Sequence, residues 1–410
     1  MAQSKEIKQT KYSKYMAQGG FDVPFLIIVL VLLTIGLVML YSASYTYAYY
    51  NENGDSAHFF KRQLVFAVMG LAAMFVISKI KYDYFKALAL VILPISFFLL
   101  VVVLFVAPPP GYEDFHRWIT VPGLGTFQPS EVAKLALVLF MAWHIDKYYK
   151  DITSKRISQA KILQGVNSGS GRKVYKSTTL ALLYFVLIGA MCVLVMMENH
   201  VSGTVLLFAL GIMMIFLGGF NKKWFIAATI AVVIVVAIVI INPDILPGHA
   251  SVRITSWLDK DFDPRGTRWQ INQALYAIGS GGFFGVGLGN SKQKHLYVSE
   301  PQNDFIFSIV CEELGFIGAA VIIFLFALLV WRGFVIAMRA KDRFGALLAM
   351  GLVFQVGIQA ALNIAVVTDT IPNTGISLPF FSYGGTSLLM LIVEMGMVLS
   401  ISRYSRISKS

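Results

Sequence analysis

The chain reads as an all-α integral membrane protein of about ten transmembrane helices, with both termini in the cytoplasm. Three observations predict this. Apolar residues make up 57 % of the 410 residues and charged ones only 14 %, against about 25 % charged in a soluble domain. The apolar residues fall in runs of about 20, the length that crosses a hydrocarbon core as a helix. Lys and Arg gather in short stretches between those runs, as membrane-flanking residues do.

Residues 1–23 are polar and carry Lys5, Lys8, Lys11 and Lys14. The apolar run that follows is too long for a signal peptide, so it is read as the first span, with a basic leader held inside. Spans are expected at 24–44, 62–79, 85–106, 131–146, 179–197, 203–219, 223–241, 304–331, 344–367 and 384–402. The fourth is short and polar at its start. With the N-terminus inside, 24 of the 34 Lys and Arg residues fall on the cytoplasmic side. The positive-inside rule expects that asymmetry, and an odd number of helices would break it.

The expected organisation is a leader (1–23), a membrane domain (24–402) and a cytoplasmic tail (403–410). The largest outer loop, 242–303, lies between helices 7 and 8. The long inner loop, 147–178, contains a Gly/Ser stretch at 167–171 that reads as a flexible tether. The net charge of +12 is distributed along membrane flanks, which argues against a nucleic-acid partner. Cys192 and Cys311 sit in or beside apolar runs and read as helix-packing residues.

Inside the large loop, Asp263-Pro264 predicts a helix start. Ile271, Leu275 and Ile278 follow at helical spacing, and Gly279 ends the pattern. This reads as a short amphipathic helix on the outer leaflet. Gly279, Gly281, Gly282, Gly285, Gly287 and Gly289 come next. Their spacing does not fit a dinucleotide fingerprint. They suit either a tightly turning loop or a backbone that approaches a ligand closely.

Four constellations carry candidate chemistry. The first is Asp304, where the outer loop enters an apolar helix. It reads as an N-cap, or as an acid kept anionic by the free N–H groups there. Glu300 lies four residues upstream, and Glu312 and Glu313 lie deeper, where a purely structural helix seldom puts two acids. The second is Gln128-Pro129-Ser130-Glu131-Val132-Ala133-Lys134. Glu131 and Lys134 share a helix face, as a structural ion pair or as a polar wall of a cavity. The third is His116-Arg117-Trp118 together with Arg253, Arg265, Arg268, Lys292 and Lys294. These suit a solvated outer surface, an anionic lipid surface, or an anionic ligand that Arg would grip by its fork geometry. The fourth runs from Asn373 through Ser382, Tyr383 and Ser387. Gly, Pro and hydroxyl residues crowd it, and irregular backbone at such depth needs a wet cavity or protein around it. Tyr383 taken alone suits an interfacial belt.

At these constellations the sequence resembles the SEDS family (shape, elongation, division, sporulation), which includes FtsW, RodA and SpoVE. The resemblance spans nearly the whole chain. It starts at Asp22 and Tyr41-Ser42-Ala43-Ser44 and continues through Arg117-Trp118 and the Gln128–Lys134 motif. It takes in Ala277-Ile278-Gly279-Ser280-Gly281-Gly282, Asp304-Phe305-Ile306-Phe307 and Glu312-Glu313-Leu314-Gly315. It ends at Asn373-Thr374-Gly375 and Pro379-Phe380-Phe381-Ser382-Tyr383-Gly384-Gly385.

The resemblance implies a peptidoglycan glycosyltransferase that polymerises lipid II, an undecaprenyl-diphosphate disaccharide-peptide, into β-1,4 glycan during cell division. It implies a class B penicillin-binding protein as partner, with other divisome membrane proteins. The family's essential acid maps to Asp304, and its Glu/Lys pair to Glu131 and Lys134. Asp304 is then the general base for an inverting displacement. Arg117, Lys292, Lys294 and Glu300 are the substrate and diphosphate candidates, and Ser382, Tyr383 and Ser387 line the cavity. No closed metal cage is visible, and a divalent cation (Mg or Mn) is left open as a partner of those groups. Two positions depart from the family pattern. Asn303 stands where many members have a hydroxyl, and Glu198-Asn199-His200-Val201-Ser202-Gly203-Thr204 replaces an acidic Pro-Asp-x-Gly-Thr stretch. A flippase of lipid-linked precursor and a non-enzymatic division scaffold remain alternatives, since both fit the same topology.

Overall fold

The computed structural model describes residues 19–109, 115–121, 125–153, 177–245, 249–263, 265–266 and 268–404. The basic leader before residue 19, the proposed tether at 167–171 and the last six residues lie outside them.

Ten helices match the ten expected spans: α1 (Val23–Asn51), α2 (His58–Lys79), α3 (Tyr84–Val103), α4 (Pro129–Thr153), α5 (Ser177–Met197), α6 (Val201–Leu217), α7 (Lys222–Ile241), α10 (Ile306–Met338), α11 (Arg343–Val367) and α12 (Gly385–Ser402). Two more lie in the large outer loop, α8 (His249–Leu258) and α9 (Trp269–Gly281). A two-stranded antiparallel hairpin, β1 (Ile119–Val121) and β2 (Gly125–Phe127), precedes α4. Eight of the ten are long and apolar enough to cross a membrane by length and composition alone. The others are α6, which has 17 residues, and α4, which carries Glu131, Lys134 and His144 among its apolar residues. The chain is therefore a multi-pass membrane protein.

The principal packing pairs are α2 with α12, α10 with α11, α3 with α4, α5 with α6, and α1 with α10. Local chemistry fixes the ends. Asp22 caps α1 by accepting from the Phe25 amide at 3.0 Å. The same carboxylate receives a two-point grip from Arg332 of α10, at 2.9 and 2.7 Å. One buried acid thus terminates α1 and docks it on α10. By contrast α7 packs lightly on α6, and Ala228 is its one buried residue.

The large loop departs from the expected reading. Asp263 adopts a left-handed φ of 42°. Its carbonyl accepts from Gly266 and Arg268, so it turns the chain rather than capping a helix; Pro264 is outside the described residues. Helix α9 begins at Trp269 and runs to Gly281, past Gly279. Its buried face, Ile271, Ala274 and Ala277, packs on α10 instead of lying on the leaflet. Protein competes with lipid for an apolar face, and here the neighbouring helix covers it.

Two glycines of the run, Gly281 and Gly285, are explained by the same contact. Helix α10 is broken at Gly315 (φ 68°, ψ −171°). The break frees backbone groups that the glycine loop satisfies. Val286 and Gly287 amides donate to the Glu312 and Glu313 carbonyls, and Phe316 and Ile317 amides donate to Gly282 and Phe283. A Cβ on Gly281 would stand 2.0 Å from the Cys311 carbonyl oxygen, and one on Gly285 2.2 Å from that of Glu313. The close approach is of backbone to backbone. Cys311 is buried and Cys192 half-buried, both as free thiols.

Candidate active site

Helix α11 carries Gln355, Gln359 and Asn363 at four-residue spacing, which puts three amides on one face. That face borders a cavity of about 870 Å³. Its walls come from α2, α4, α6, α11 and the start of α12, roofed by residues of the outer loops. Arg117, Glu131, Lys134, Glu300, Asp304, Ser382, Tyr383 and Ser387 all line it. These residues, from four separated stretches of sequence, thus converge on one space.

Asp304 is held by its backbone. The Asn363 amide donates to the Asp304 carbonyl at 2.7 Å and to the Ile376 carbonyl at 2.6 Å. The N-cap of α10 is Phe305, with no side-chain cap, so the Asp304 carboxylate is not spent on the helix end. A Cβ built on Gly375 (φ 70°) would lie 3.2 Å from Asp304 Oδ2. Gly375 therefore supplies both the turn and the room. Burial raises the Asp304 pKa to about 6, with Arg117 and Arg253 pulling it down and Glu300 pushing it up. A carboxyl poised there switches between acid and base near neutral pH.

The cations divide into two groups. Arg117 and Arg253 face the cavity and the Asp304 charge. Arg117 is buried, stacks over the Phe115 ring at 4.5 Å and donates to the Asn199 carbonyl. Burial, then repulsion from Arg253, lowers its pKa to about 10, so it stays cationic. Burial lowers the Arg253 pKa as well, and Asp304 opposes the shift. The other cations lie elsewhere. Lys292 and Lys294 are not part of the cavity lining. Lys294 is buried and pairs with Glu313 at 2.9 Å, while donating to the Gly289 carbonyl at 2.6 Å. Lys292 has an exposed side chain, and its backbone amide donates to Glu312 at 2.9 Å. Arg268 is buried against Asp369 at 2.5 Å and the Ser256 carbonyl at 2.6 Å. Arg265 is exposed. These four are unavailable to a ligand in the cavity or stand away from it. Glu312 and Glu313 likewise serve the loop around Ser291–Lys294, which they tie to the broken helix.

Glu131 and Lys134 form an ion pair at 2.9 Å, and Lys134 also donates to Gln359 at 3.3 Å. Gln359 in turn donates to the Ser377 carbonyl at 3.1 Å. The pair is at once structural and a cavity wall. Below it, Gln355 donates to the buried Glu394 at 3.0 Å. Ser382 accepts from the Leu378 amide and donates to the Asn303 carbonyl at 2.8 Å. The Asn303 side chain donates to Glu300 at 2.8 Å. Asn303 thus orients Glu300, and the Asp304 backbone is set by Asn363 and Ser382. Tyr383 packs edge-on against Phe59 at 4.8 Å between ring centres and lines the cavity, so it is not a belt residue. At the departing motif, His200 accepts contacts from Gln128 and Ser130 at 3.4 and 3.3 Å. Burial, with Arg117 and Lys134 nearby, drives its pKa well down, so it is neutral.

Among the described residues no three His, Cys, Asp or Glu side chains converge as a metal cage. Asp304 is faced by two arginines and Glu131 by Lys134. This donor set does not fit a resident magnesium or manganese ion.

Asn363 and Gln359 were not assigned roles from the sequence, and Arg253 was read only as one of six outer-loop cations. The four-residue spacing of three amides in an apolar helix is a signal that could have found the first two. Nothing local separates Arg253 from the five other outer cations.

The sequence and fold have close counterparts. The chain is 41 % identical to stage V sporulation protein E of Bacillus subtilis, over 94 % of this chain and 98 % of that protein. It is 37 % identical to the probable peptidoglycan glycosyltransferase FtsW of Trichlorobacter lovleyi, over 93 % of each. Among solved structures, the rod shape determining protein RodA of Thermus thermophilus superposes with a TM-score of 0.63 at 23 % identity, covering 94 % of this chain and 98 % of that one. A chain from work described as "Structural coordination of polymerization and crosslinking by a peptidoglycan synthase complex" superposes at 0.71, also at 23 % identity, covering 93 % and 98 %. The family described as cell cycle protein, comprising FtsW, RodA and SpoVE, matches residues 23–407. With that match across the membrane domain and relatives of this identity, the chain belongs to the FtsW/RodA/SpoVE family.

Proposed function

We propose that this chain is a peptidoglycan glycosyltransferase that polymerises lipid II into β-1,4 glycan at the outer face of the cytoplasmic membrane during cell division. The observation that carries the proposal is the Asp304 carboxylate, turned into a polar cavity and flanked by Arg117 and Arg253.

Asp304 acts as the general base. It takes the proton of the acceptor GlcNAc 4-hydroxyl as that oxygen bonds to the donor's anomeric carbon. The bond from that carbon to the lipid diphosphate breaks with inversion, and the diphosphate leaves with the bonding pair. Arg117 and Arg253 stabilise its charge. Arg253 takes the place that the sequence reading gave to Lys292 and Lys294. Glu300, held by Asn303, faces the same space and orients the acceptor. Polar groups of α4, α11 and α12 accept the saccharide and diphosphate, while the acyl tail lies between helices. A class B penicillin-binding protein cross-links the product; the description of the solved complex, which pairs polymerisation with crosslinking, supports that partnership.

The test is lipid II polymerisation by the purified chain with its penicillin-binding partner. Native protein should make glycan chains. Asp304→Asn should lose at least about 10²-fold in rate while remaining folded and partnered. Equal polymer from both would remove Asp304 from the mechanism. Lipid II that changes leaflet without growing would favour a flippase.

A further inference from the structure

A second, smaller cavity of about 270 Å³ adjoins the first. Arg253, Gln270 and Asn373 line both, so they form the partition between them. The remaining walls are Val252 and Ser256 of α8, Trp269 and Ile271 of α9, and Gly266 and Ser299. Every one of these comes from an outer loop or loop helix. None belongs to a spanning helix. The large cavity is walled by α2, α4, α6, α11 and α12 and so sits partly within the membrane. The small one is lined by outer-loop residues alone.

The small cavity is braced. Arg268 holds α8 through the Ser256 carbonyl and holds Asp369 through its carboxylate. Trp257 of α8 donates to the Asp369 carbonyl at 3.1 Å. Across the opening, Trp269 donates to the Tyr297 carbonyl and Gln270 to the Ser299 carbonyl, each at 3.0 Å. Those bonds fix the indole and the amide from the side, and the indole is partly exposed. An aromatic face beside amides, a hydroxyl and a guanidinium is the lining that a sugar ring requires. Its C–H face packs on the ring and its hydroxyls find donors and acceptors. The volume lies just under the range of about 300–1,000 Å³ for pockets that bury a drug-sized ligand, the scale of one or two sugar rings. The lining is mostly polar, which does not suit an acyl chain.

We infer that this cavity is a saccharide subsite for the glycan strand, holding the sugars next to the reacting pair after they have left the membrane-embedded cavity. The inference rests on the polymerase reading above and adds where the product goes. A polymerase has to hold two saccharides at once, and a strand retained between couplings keeps growing on the same enzyme. Binding energy from this remote subsite raises chain length rather than the rate of the first coupling.

The experiment compares native protein with Ser299→Trp, which fills the cavity from an exposed position, and with Trp269→Ala and Trp269→Phe. Coupling of the first two lipid II molecules and glycan length are measured separately. Ser299→Trp and Trp269→Ala should shorten the chains by about threefold or more, with first coupling within about twofold of native. Trp269→Phe keeps an aromatic face while losing the Tyr297 hydrogen bond, so its chains should stay much closer to native length than those of Trp269→Ala. Equal lengths for all variants would overturn the subsite. So would a Trp269→Phe defect as large as that of Trp269→Ala, which would mark Trp269 as a loop brace. Loss of first coupling in step with chain length would overturn it as well. A binding arm is independent of activity. Peptide-free β-1,4 oligosaccharides of GlcNAc and MurNAc should bind the detergent-purified native protein and not Ser299→Trp. If native protein makes no glycan, the polymerase reading fails, and this arm still decides the cavity: no binding to native protein, or equal binding to both, sinks the subsite.

Discussion

Asn363 holds Asp304 in place through the main chain, its amide nitrogen 2.7 Å from the Asp304 carbonyl oxygen. The same nitrogen reaches the Ile376 carbonyl. One buried amide in α11 thus sets the distance between the candidate base and the Asn373–Ser387 wall. Asn363→Leu should leave a folded protein whose polymerisation rate falls by about 10²-fold, the cost of a misplaced reacting group. A melting curve and a lipid II turnover assay on the same sample check this. A large loss of melting temperature with unchanged activity would show that the contact serves folding alone.

The pH profile should have an acid limb near pH 6. A general base works only when ionised, and burial puts the Asp304 pKa at about 6. Activity is therefore full above that pH and falls as pH drops through it. Arg253 lowers the Asp304 pKa, so Arg253→Gln should move the limb to higher pH. The limb is read from kcat/KM, which reports the free enzyme. A limb that stays in place would detach Arg253 from Asp304.

Lys294 should prove structural. It is buried in an ion pair with Glu313, and removing one partner of such a pair costs about 3–5 kcal/mol. Lys294→Met should melt well below native protein in detergent. Lys294→Met/Glu313→Gln should recover part of the loss, because no unpaired charge is left. A stable Lys294→Met protein that binds diphosphate poorly would restore Lys294 to the site.

The glycine loop makes a paired prediction. Gly279 has open space where a Cβ would sit, whereas a Cβ on Gly281 would stand 2.0 Å from the Cys311 carbonyl oxygen. Gly279→Ala should be neutral or stabilising by up to about 1 kcal/mol, as expected of Ala for Gly within a helix. Gly281→Ala should lower the yield of folded protein sharply by forcing α9 off α10. Size-exclusion profiles and melting of the two variants side by side decide it.

The spans were legible because lipid demands a long apolar run and leaves no other way to satisfy a backbone in hydrocarbon. Their ends were less so. Helix α1 continues to Asn51 and α10 to Met338, since a helix does not stop where the bilayer does. The break at Gly315 was hidden, because a glycine inside an apolar run looks the same whether or not another backbone lies against it. Asp304, Glu131 and Lys134 stood out because ionisable groups are costly at membrane depth, and Arg117 as one of a set of outer-loop cations.

By itself the sequence determined the class, the membrane topology and the residue types that do chemistry, because those follow from composition and local period. The tertiary structure decided which charges meet. Lys294 and Arg253 read alike in sequence, as outer-loop cations. One is consumed by Glu313 inside the protein, and the other faces Asp304 across the cavity. That difference is set by packing between elements far apart in the chain, and no local pattern carries it.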